Sequence, residues 1–494
     1  MNYSTHNLAD TIVAPATPPG VGALGVIRLS GEDALRIVQK VFGGKDLTKQ
    51  PSHTLHFGTI TSNDGRILDE VVVSIFKAPH SYTGENVAEV SCHGSPYILG
   101  QVLELFVQHG ARMAQPGEFT LRAFLNGRMD LSQAEAVAGL IASHSESAHA
   151  VAMRQMRGGF SLEIKKLRDE LINFASLIEL ELDFAEEDVE FANRAHLKEL
   201  VTKIQSFIQS LIQSFKLGNV LRTGVPTVIA GRPNAGKSTL LNALLNEERA
   251  IVSEIAGTTR DTIEEVLNIN GVEFRLIDTA GLREAQDQIE ALGIEKTMEK
   301  VRQAALLVYV FDIMETKIDE VLADLASLQT GEMQILVVCN KMDKNPHFKP
   351  ESVCSPQAAV HSPQLAVHSP QSTVRSPQSA VGSPQFLIGP EQIITCSAIH
   401  GMNVPYLKGK LFETVLSQGI NLEGPIVTNA RHYEALQKAA ESLADVRQGL
   451  DTGITSDFVA MDIRRALSYL GEITGEVGVE DLLGNIFSKF CIGK

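Results

Sequence analysis

The chain of 494 residues has no apolar run long enough to cross a bilayer. The longest unbroken one, Ala304 to Phe311, falls far short of the roughly 20 residues a spanning helix needs, which excludes a helical membrane span. Cysteine is scarce. Cys92, Cys339, Cys354, Cys396 and Cys491 are scattered, odd in number and free of CxxC or Cys/His metal spacing, which excludes a disulfide framework and a zinc site and points to a reducing compartment. The opening residues, MNYSTHNLADTIVAP, lack both a basic-then-apolar signal and an Arg-rich transit pattern, so a cytoplasmic protein is expected. Positive charge is in deficit. Lys and Arg total 43 against 59 Asp and Glu, a net charge of −16, which argues against a broad basic surface for non-specific nucleic-acid binding. Any RNA contact must be local or partner-assisted. What is present, 44% apolar and 21% charged residues, fits a folded soluble chain of roughly three domains of about 150 residues each.

From Asp10 to about Gly94, short β-rich runs (TIVA, GALGVIRLS, LDEVVVSIF, VAEVSCHG) alternate with turn clusters such as Pro18-Pro19-Gly20, which predicts a small α+β domain. Gly20-x-Gly22-x-x-Gly25 matches a dinucleotide fingerprint by its letters. The strand-like ALGVIRL follows it, however, where a helix N-terminus is required, so the match is set aside. Beyond Asp130 the period changes. Ile164, Leu167, Leu171, Phe174 and Ile178, then Leu197, Leu200, Ile204, Phe207 and Leu211, repeat at three and four residues and predict long amphipathic helices. A third stripe runs through Leu436, Ala439, Leu443, Val446 and Leu450, and Ser456 to Gly471 and Val479 to Phe490 are expected to be helical. Helices on both sides of an α/β stretch imply a helical domain interrupted by an inserted module. The expected division is 1–125 (α+β), 126–222 and 419–494 (helical, discontinuous) and 223–418 (the insert).

The acidic run Glu179, Glu181, Asp183, Glu186, Glu187, Asp188 and Glu190 reads as a metal cluster or a solvated helix end, the second being favoured. Ser-Pro-Gln recurs at 355, 362, 369, 376 and 383. A proline every seven residues forbids a coiled coil, and Ala, Val, His and Ser bury too little to offset chain ordering, so residues 346–390 are expected to be a disordered excursion. Loop closure entropy grows only logarithmically, so about 40 extra residues cost on the order of 1–2 kcal/mol.

Gly231-Arg-Pro-Asn-Ala-Gly236-Lys237-Ser238 lies between the apolar run VPTVIA and TLLNALL, the strand, loop and helix of a P-loop. Its backbone N–H groups turn onto phosphates at a helix N-terminus, Lys237 reaches the β/γ oxygens and the Ser238 hydroxyl ligates Mg²⁺. Asp278-Thr279-Ala280-Gly281 closes the strand-like VEFRLI, placing Asp278 at the Mg²⁺ shell and the Gly281 N–H at the γ-phosphate. Asn340-Lys341-Met342-Asp343 follows the strand ILVVC. The Asp343 carboxylate can accept the ring N–H and the exocyclic amine of guanine, whereas adenine presents the opposite pattern, so the nucleotide is expected to be GTP. Ser397-Ala398, after EQIIT, fits the remaining base-contacting loop. A Ras-like switch carries Gln directly after this motif to orient water, but Leu282 stands there and cannot hydrogen-bond. Glu284, Asp287, Glu290 and Glu295 are the nearby candidates, and no arginine is an evident internal finger.

GRPNAGKS, DTAG, NKMD and SA together resemble the translation-factor-related GTPases. The segments Ala250-Ile-Val-Ser-Glu-Ile-Ala-Gly-Thr-Thr-Arg-Asp261 and Asp278-Thr-Ala-Gly-Leu-Arg-Glu284 are similar to the switches of the MnmE (TrmE) family of tRNA modification GTPases. Thr11-Ile-Val-Ala with Thr17-Pro-Pro-Gly, Pro116-Gly-Glu-Phe with Arg122-Ala-Phe-Leu-Asn, and Phe490-Cys-Ile-Gly-Lys494 resemble that family's other two domains, so the likeness spans everything but the Ser-Pro-Gln repeat.

The resemblance implies an N-terminal α+β folate-binding and dimerisation domain, a discontinuous helical domain and an inserted Ras-like P-loop α/β GTPase domain. It implies GTP contacts from Asn234, Ala235, Gly236, Lys237, Ser238, Thr239, Ser253, Glu254, Ile255, Ala256, Gly257, Thr258, Thr259, Asp278, Thr279, Ala280, Gly281, Asn340, Lys341, Asp343, Ser397 and Ala398. It selects Glu290 to position water, with Lys237 as the other catalytic group, and Thr259 beside Ser238 on Mg²⁺. It also implies K⁺ held by Asn234, Ser253, Ile255 and Thr258, a cation that neutralises developing charge as an arginine would; Ser253 stands where Thr is expected. A one-carbon tetrahydrofolate, 5-formyl or methylene in type, is implied at Arg28, Glu89, Arg128 and Lys494, with Arg128 in a usual Lys position. Cys491 either serves the one-carbon chemistry or is a buried structural thiol. The implied activity is potassium-activated GTP hydrolysis coupled to carboxymethylaminomethyl-type modification at C5 of wobble uridine 34 of certain tRNAs. The implied partners are a second copy (homodimer), the flavoprotein MnmG (GidA) with its FAD in a heterotetramer, and tRNA, with no membrane. A competing class, a ribosome-assembly GTPase acting as an RNA-binding switch, predicts a basic appendage that neither end carries. A GTP-dependent interaction protein would leave the N-terminal arginines and Cys491 without purpose.

Overall fold

Two units emerge from the computed structural model, which describes residues 9–183, 193–246, 264–278, 304–328, 333–353, 388–416, 425–452 and 455–477, and residues 483, 486, 487, 490, 491 and 493. The first unit combines residues up to 143 with 149–218 and 425–494, and the second holds 144–148 and 219–424. The α+β segment and both helical segments fall largely within the first of these.

In the first unit, β1 (Ile12–Pro15), β2 (Leu24–Ser30), β3 (Phe42–Gly43), β4 (Thr54–Thr61), β5 (Ile67–Phe76), β6 (Val87–His93) and β7 (Arg112–Met113) form a sheet of order β3-β4-β5-β6-β2-β1-β7. β2 starts directly behind Gly22, as the strand reading required, and no helix opens there. Strand alternation sends Ile27, Leu29, Val71, Val73, Ile75, Val90 and Cys92 to a face where they pack with residues of the helices Ala34–Val41 and Pro96–Gln108. The opposite face carries Arg28 and Glu89, paired across β2 and β6.

All three stripes are helical, within Ser161–Asp183, Arg194–Thr223 and Ala430–Thr452. With Ser456–Thr474 they bury one apolar core containing Ile164, Leu171, Ile204, Leu211, Leu436, Leu443 and Ile463. Of the further helix expected at Val479 to Phe490, Leu483, Ile486 and Phe487 are helical and the rest is largely outside the described residues. Of the acidic run, Glu179 forms a surface ion pair with Arg464 at 2.6 Å, as a solvated helix end allows, while Glu181 is buried and pairs with Arg194. Asp183 onward is not described at side-chain level, and among the described residues no His/Cys/Asp/Glu group could hold a metal.

The second unit is built on β8 (Val225–Ala230), β9 (Glu264–Ile269), β10 (Val272–Asp278), β11 (Leu306–Asp312), β12 (Gln334–Asn340) and β13 (Ile393–Thr395), in the order β13-β12-β11-β8-β10-β9. All neighbours are parallel except β9 with β10. A parallel sheet is covered on both faces, and the unbroken burial of β11 fits that. The two ends of the stretch 346–390, expected to be disordered throughout, are ordered. Pro350–Val353 forms a 3₁₀ turn, Val353 and Ile388 are buried in this unit's core, and Phe348 packs against it. The Ser-Pro-Gln repeats lie outside the described residues. No described helix is long and apolar enough to cross a membrane.

Candidate functional site

β8 delivers the chain to the P-loop at the carboxyl edge of the sheet. Gly231 has φ +149°, and a Cβ there would lie 1.9 Å from the Val310 carbonyl oxygen, so only glycine lets the loop leave β8 beside β11. Gly236, at φ +89°, sits where a Cβ would meet the Asn340 amide at 2.3 Å. Asn234 adopts a left-handed φ of 62°, which asparagine tolerates better than most residues. The helix Lys237–Asn246 starts at once, and the nearly buried Lys237 ammonium donates to the carbonyls of Gly231 and Arg232 at 2.9 Å each. Asp278 closes β10 opposite Ile229 of β8, which brings it to the P-loop edge. Its side chain is not described.

Asn340 is the tie. Buried at 2% exposure, it donates through Nδ2 to the Ala235 carbonyl at 2.8 Å, while its Oδ1 accepts from the Ala398 N–H at 3.1 Å. One amide thereby joins the P-loop, the NKMD segment and the Ser397-Ala398 loop, bridging residues as far apart in sequence as Ala235 and Ala398. Lys341, at φ 66°, donates to Asp312 Oδ2 at 2.6 Å, and Asp343 lies 3.9 Å from His400. Asp312 was not anticipated; the signal was there, an acidic residue closing an all-apolar strand. Ser253, Glu254, Ile255, Ala256, Gly257, Thr258, Thr259, Thr279, Ala280, Gly281 and Glu290 lie outside the described residues. Ser238 and Thr239 fall in the first turn of the helix, as the P-loop reading requires.

A second constellation stands on the open face of the N-terminal sheet. Arg28 donates from Nε to Glu89 Oε1 at 2.8 Å and from an Nη to the Gly493 carbonyl at 3.3 Å. Its guanidinium lies 5.7 Å from the Tyr82 ring centre and 5.8 Å from that of Phe119, a pair of aromatic contacts the sequence did not signal. The end of the chain is held by close backbone contacts: a Cβ on Gly493 would lie 2.0 Å from the Pro15 carbonyl, and the Gly117 N–H donates to the Cys491 carbonyl at 3.4 Å. Cys491 is exposed, which overturns the buried-thiol alternative. Cys92, Cys339 and Cys396 are buried, and burial pushes all three thiols up, those of Cys92 and Cys396 to about 12. Arg128 is exposed and makes no bond to Arg28 or Glu89; it shares with them the neighbourhood of Tyr82. Lys494 lies outside the described residues.

Two family models match the chain: one described as the MnmE helical domain over residues 131–491, the other as the GTP-binding protein TrmE N-terminus over residues 11–128. The tRNA modification GTPase MnmE of Cytophaga hutchinsonii is 51% identical over 488 residues, covering 99% of this chain and 98% of its own. That of Christiangramia forsetii is 51% identical over 504 residues, covering 99% and 100%. The chain belongs to the MnmE family of tRNA modification GTPases. This MnmE-family protein is accordingly a GTP hydrolase of tRNA modification, and the P-loop between β8 and its helix is the element that hydrolysis requires. A GTP-binding protein of Sulfolobus solfataricus solved with GDP is 20% identical, covers 51% of this chain and 67% of its own, and has a TM-score of 0.27, too low to carry an argument. The GTPase fold rests on the sheet order itself.

Proposed function

We propose that this MnmE-family GTPase is potassium-activated and works in the cytoplasm as a homodimer with the flavoprotein MnmG to add a carboxymethylaminomethyl-type group to C5 of wobble uridine 34 in certain tRNAs. One-carbon binding and dimerisation fall to residues 1–125, hydrolysis to 223–418, and the helical arms to 126–222 and 419–494. The observation that carries the nucleotide part is the Asn340 side chain, which holds the P-loop and the base loop in one arrangement. Glycines 231 and 236 keep the loop free of Cβ atoms where phosphates approach, so the residues present fit a nucleoside triphosphate. In this reading Lys237 binds the β/γ oxygens, Asp343 accepts from guanine, Glu290 orients the attacking water, and 253–259 close over the γ-phosphate. Ser238 and Thr259 would hold Mg²⁺, and Asn234, Ser253, Ile255 and Thr258 would hold K⁺, ions that would supply positive charge against the charge developing on the phosphates.

The one-carbon part is supported by the Arg28–Glu89 pair. A carboxylate that accepts from an aminopyrimidine edge, a guanidinium, and the rings of Tyr82 and Phe119 suit a pteridine. Arg28, Glu89, Arg128 and Lys494 would hold the folate, which supplies the carbon, while the partner's FAD supplies redox chemistry. Cys491, exposed two residues before the Gly493 that touches Arg28, is the chain's own nucleophile at that edge.

The test is kcat for GTP in K⁺ and in Na⁺ at equal ionic strength, for the native chain and Asn234→Ala. The native protein is expected to be faster in K⁺ by about tenfold or more, the scale on which one stabilising charge acts in a transition state, and Asn234→Ala to lose the difference. Equal native rates in the two salts would overturn potassium activation.

A further inference from the structure

Beside the Arg28–Glu89 pair the N-terminal sheet has a recess of about 410 Å³, lined by His53, Phe76, His80, Ser81, Tyr82 and Arg128. Among the described residues no carboxylate lines it, in a chain whose net charge is −16. The acidic side chains of the neighbouring segment are engaged elsewhere: Glu85 with Ser30 and Arg122, Glu89 with Arg28. The recess therefore offers nitrogen donors without a built-in counter-charge.

Its walls are set by the backbone. His53 adopts a left-handed φ of 63°, unusual for a residue with a side chain, and its ring bonds Ser52 Oγ at 2.8 Å and meets the edge of Phe76 at a centroid distance of 5.5 Å. Ser52 Oγ in turn accepts from the Lys77 N–H at 2.9 Å, tying the His53 turn to the end of β5. The turn after β5 presents His80, whose N–H donates to the Lys77 carbonyl at 3.0 Å. On the far side, the Arg128 stem passes within 3.4 Å of where a Cβ on Gly84 would stand. Tyr82 is common to both places: it lines the recess, and the Arg28 guanidinium lies over its ring.

We propose that this recess binds the glutamyl tail of the folate, with His53, His80 and Arg128 donating to the tail carboxylates while Arg28 and Glu89 hold the ring system. The proposal rests on the one-carbon reading given above and deepens it. A folate is an aromatic head joined to a chain of carboxylates, and a site with aromatic and paired charged groups at one end and uncompensated donors at the other has that polarity. The recess opens to solvent, which suits a chain of several γ-linked glutamates and gives the longer tails more to hold. Charge-assisted hydrogen bonds to a carboxylate are among the stronger ones available at a surface. An RNA phosphate would use the same donors, but it would give no dependence on tail length.

The experiment measures binding of monoglutamyl and triglutamyl 5-formyltetrahydrofolate to the full chain, native and with His53→Asn plus His80→Ala; asparagine is chosen because it keeps the left-handed turn. GTP binding by the same samples reports folding. The native chain is expected to bind the triglutamyl form about five- to tenfold more tightly, and the double variant to bring that ratio to within twofold of unity. Equal native affinities, or a double variant that keeps the ratio, overturn the tail site while leaving the folate reading in place. Failure of the native chain to bind either form, with GTP binding intact, removes the folate reading and this proposal with it. A double variant that weakens tRNA binding but not the ratio assigns the recess to RNA and also overturns it.

Discussion

Glu135 sits 10% exposed between two nitrogen-bearing side chains: His432 Nε2 lies 2.7 Å from its carboxylate and an Arg431 Nη 2.9 Å. Burial alone would push this carboxyl upward; the His432 and Arg431 side chains outweigh it and hold it down at about 2. A carboxyl depressed on folding contributes stability that is complete above its unfolded value of 4.5 and is lost as pH falls toward about 2. Thermal unfolding followed from pH 5 to pH 2 should therefore show a decline that Glu135→Gln flattens. At neutral pH, Glu135→Ala is expected to cost about 3–5 kcal/mol in a denaturant titration, because it leaves the buried His432 and the Arg431 guanidinium without their carboxylate. Loss under 1 kcal/mol would mean that the pair is dispensable. Nothing in the sequence marks Glu135. It is one of 59 acidic residues, and its partner is almost 300 positions away.

Helices carry a different lesson. Glycine inside a helix is a liability, and Gly→Ala at an open position is worth up to about 1 kcal/mol in favour of alanine. Gly218 in Arg194–Thr223 looks like such a position by propensity, yet a Cβ there would lie 2.0 Å from the Val427 carbonyl oxygen, where the chain returns after the inserted unit. The Val427 N–H also donates to Ser214 Oγ at 3.0 Å, so two successive turns of that helix touch the returning strand of chain. A backbone carbonyl cannot be pushed aside as a flexible side chain can, so contact outweighs propensity. Gly218→Ala should lose about 1–3 kcal/mol, whereas Gly100→Ala, in Pro96–Gln108 with nothing within 4 Å, should gain up to about 1. Chemical denaturation of the pair decides it; a gain at both positions would refute the close approach. The stripes at three- and four-residue spacing were legible in the sequence because periodicity is a local property. So were the P-loop and its flanking strand and helix. Gly218 and Tyr82 were not, because what constrains each is a neighbour supplied by tertiary packing.

At the scale of the whole chain, the Ser-Pro-Gln repeats leave the GTPase unit from Val353 and return at Ile388, both buried in one core. The stems are thus part of the fold, and an excision must spare them. Removing 354–387 should preserve GTP hydrolysis and wobble-uridine modification in cells, while Glu290→Ala should lose about 10² or more in kcat and abolish modification. A deletion that fails and a Glu290→Ala chain that works would overturn the roles given to both. Another long-range feature sets a timetable. The Gly493 carbonyl that Arg28 reaches belongs to a residue 465 positions later. A ribosome adding about 5–20 residues per second needs on the order of 20–90 s to cover that interval. The N-terminal sheet emerges first but must wait, with Arg28 lacking one acceptor and Gly117 and Pro15 uncovered, until the last residues clear the exit tunnel. Nascent chains stalled short of residue 491 should then bind GTP before the Arg28–Gly493 contact can form, so that during synthesis the nucleotide unit matures ahead of the constellation on the N-terminal sheet.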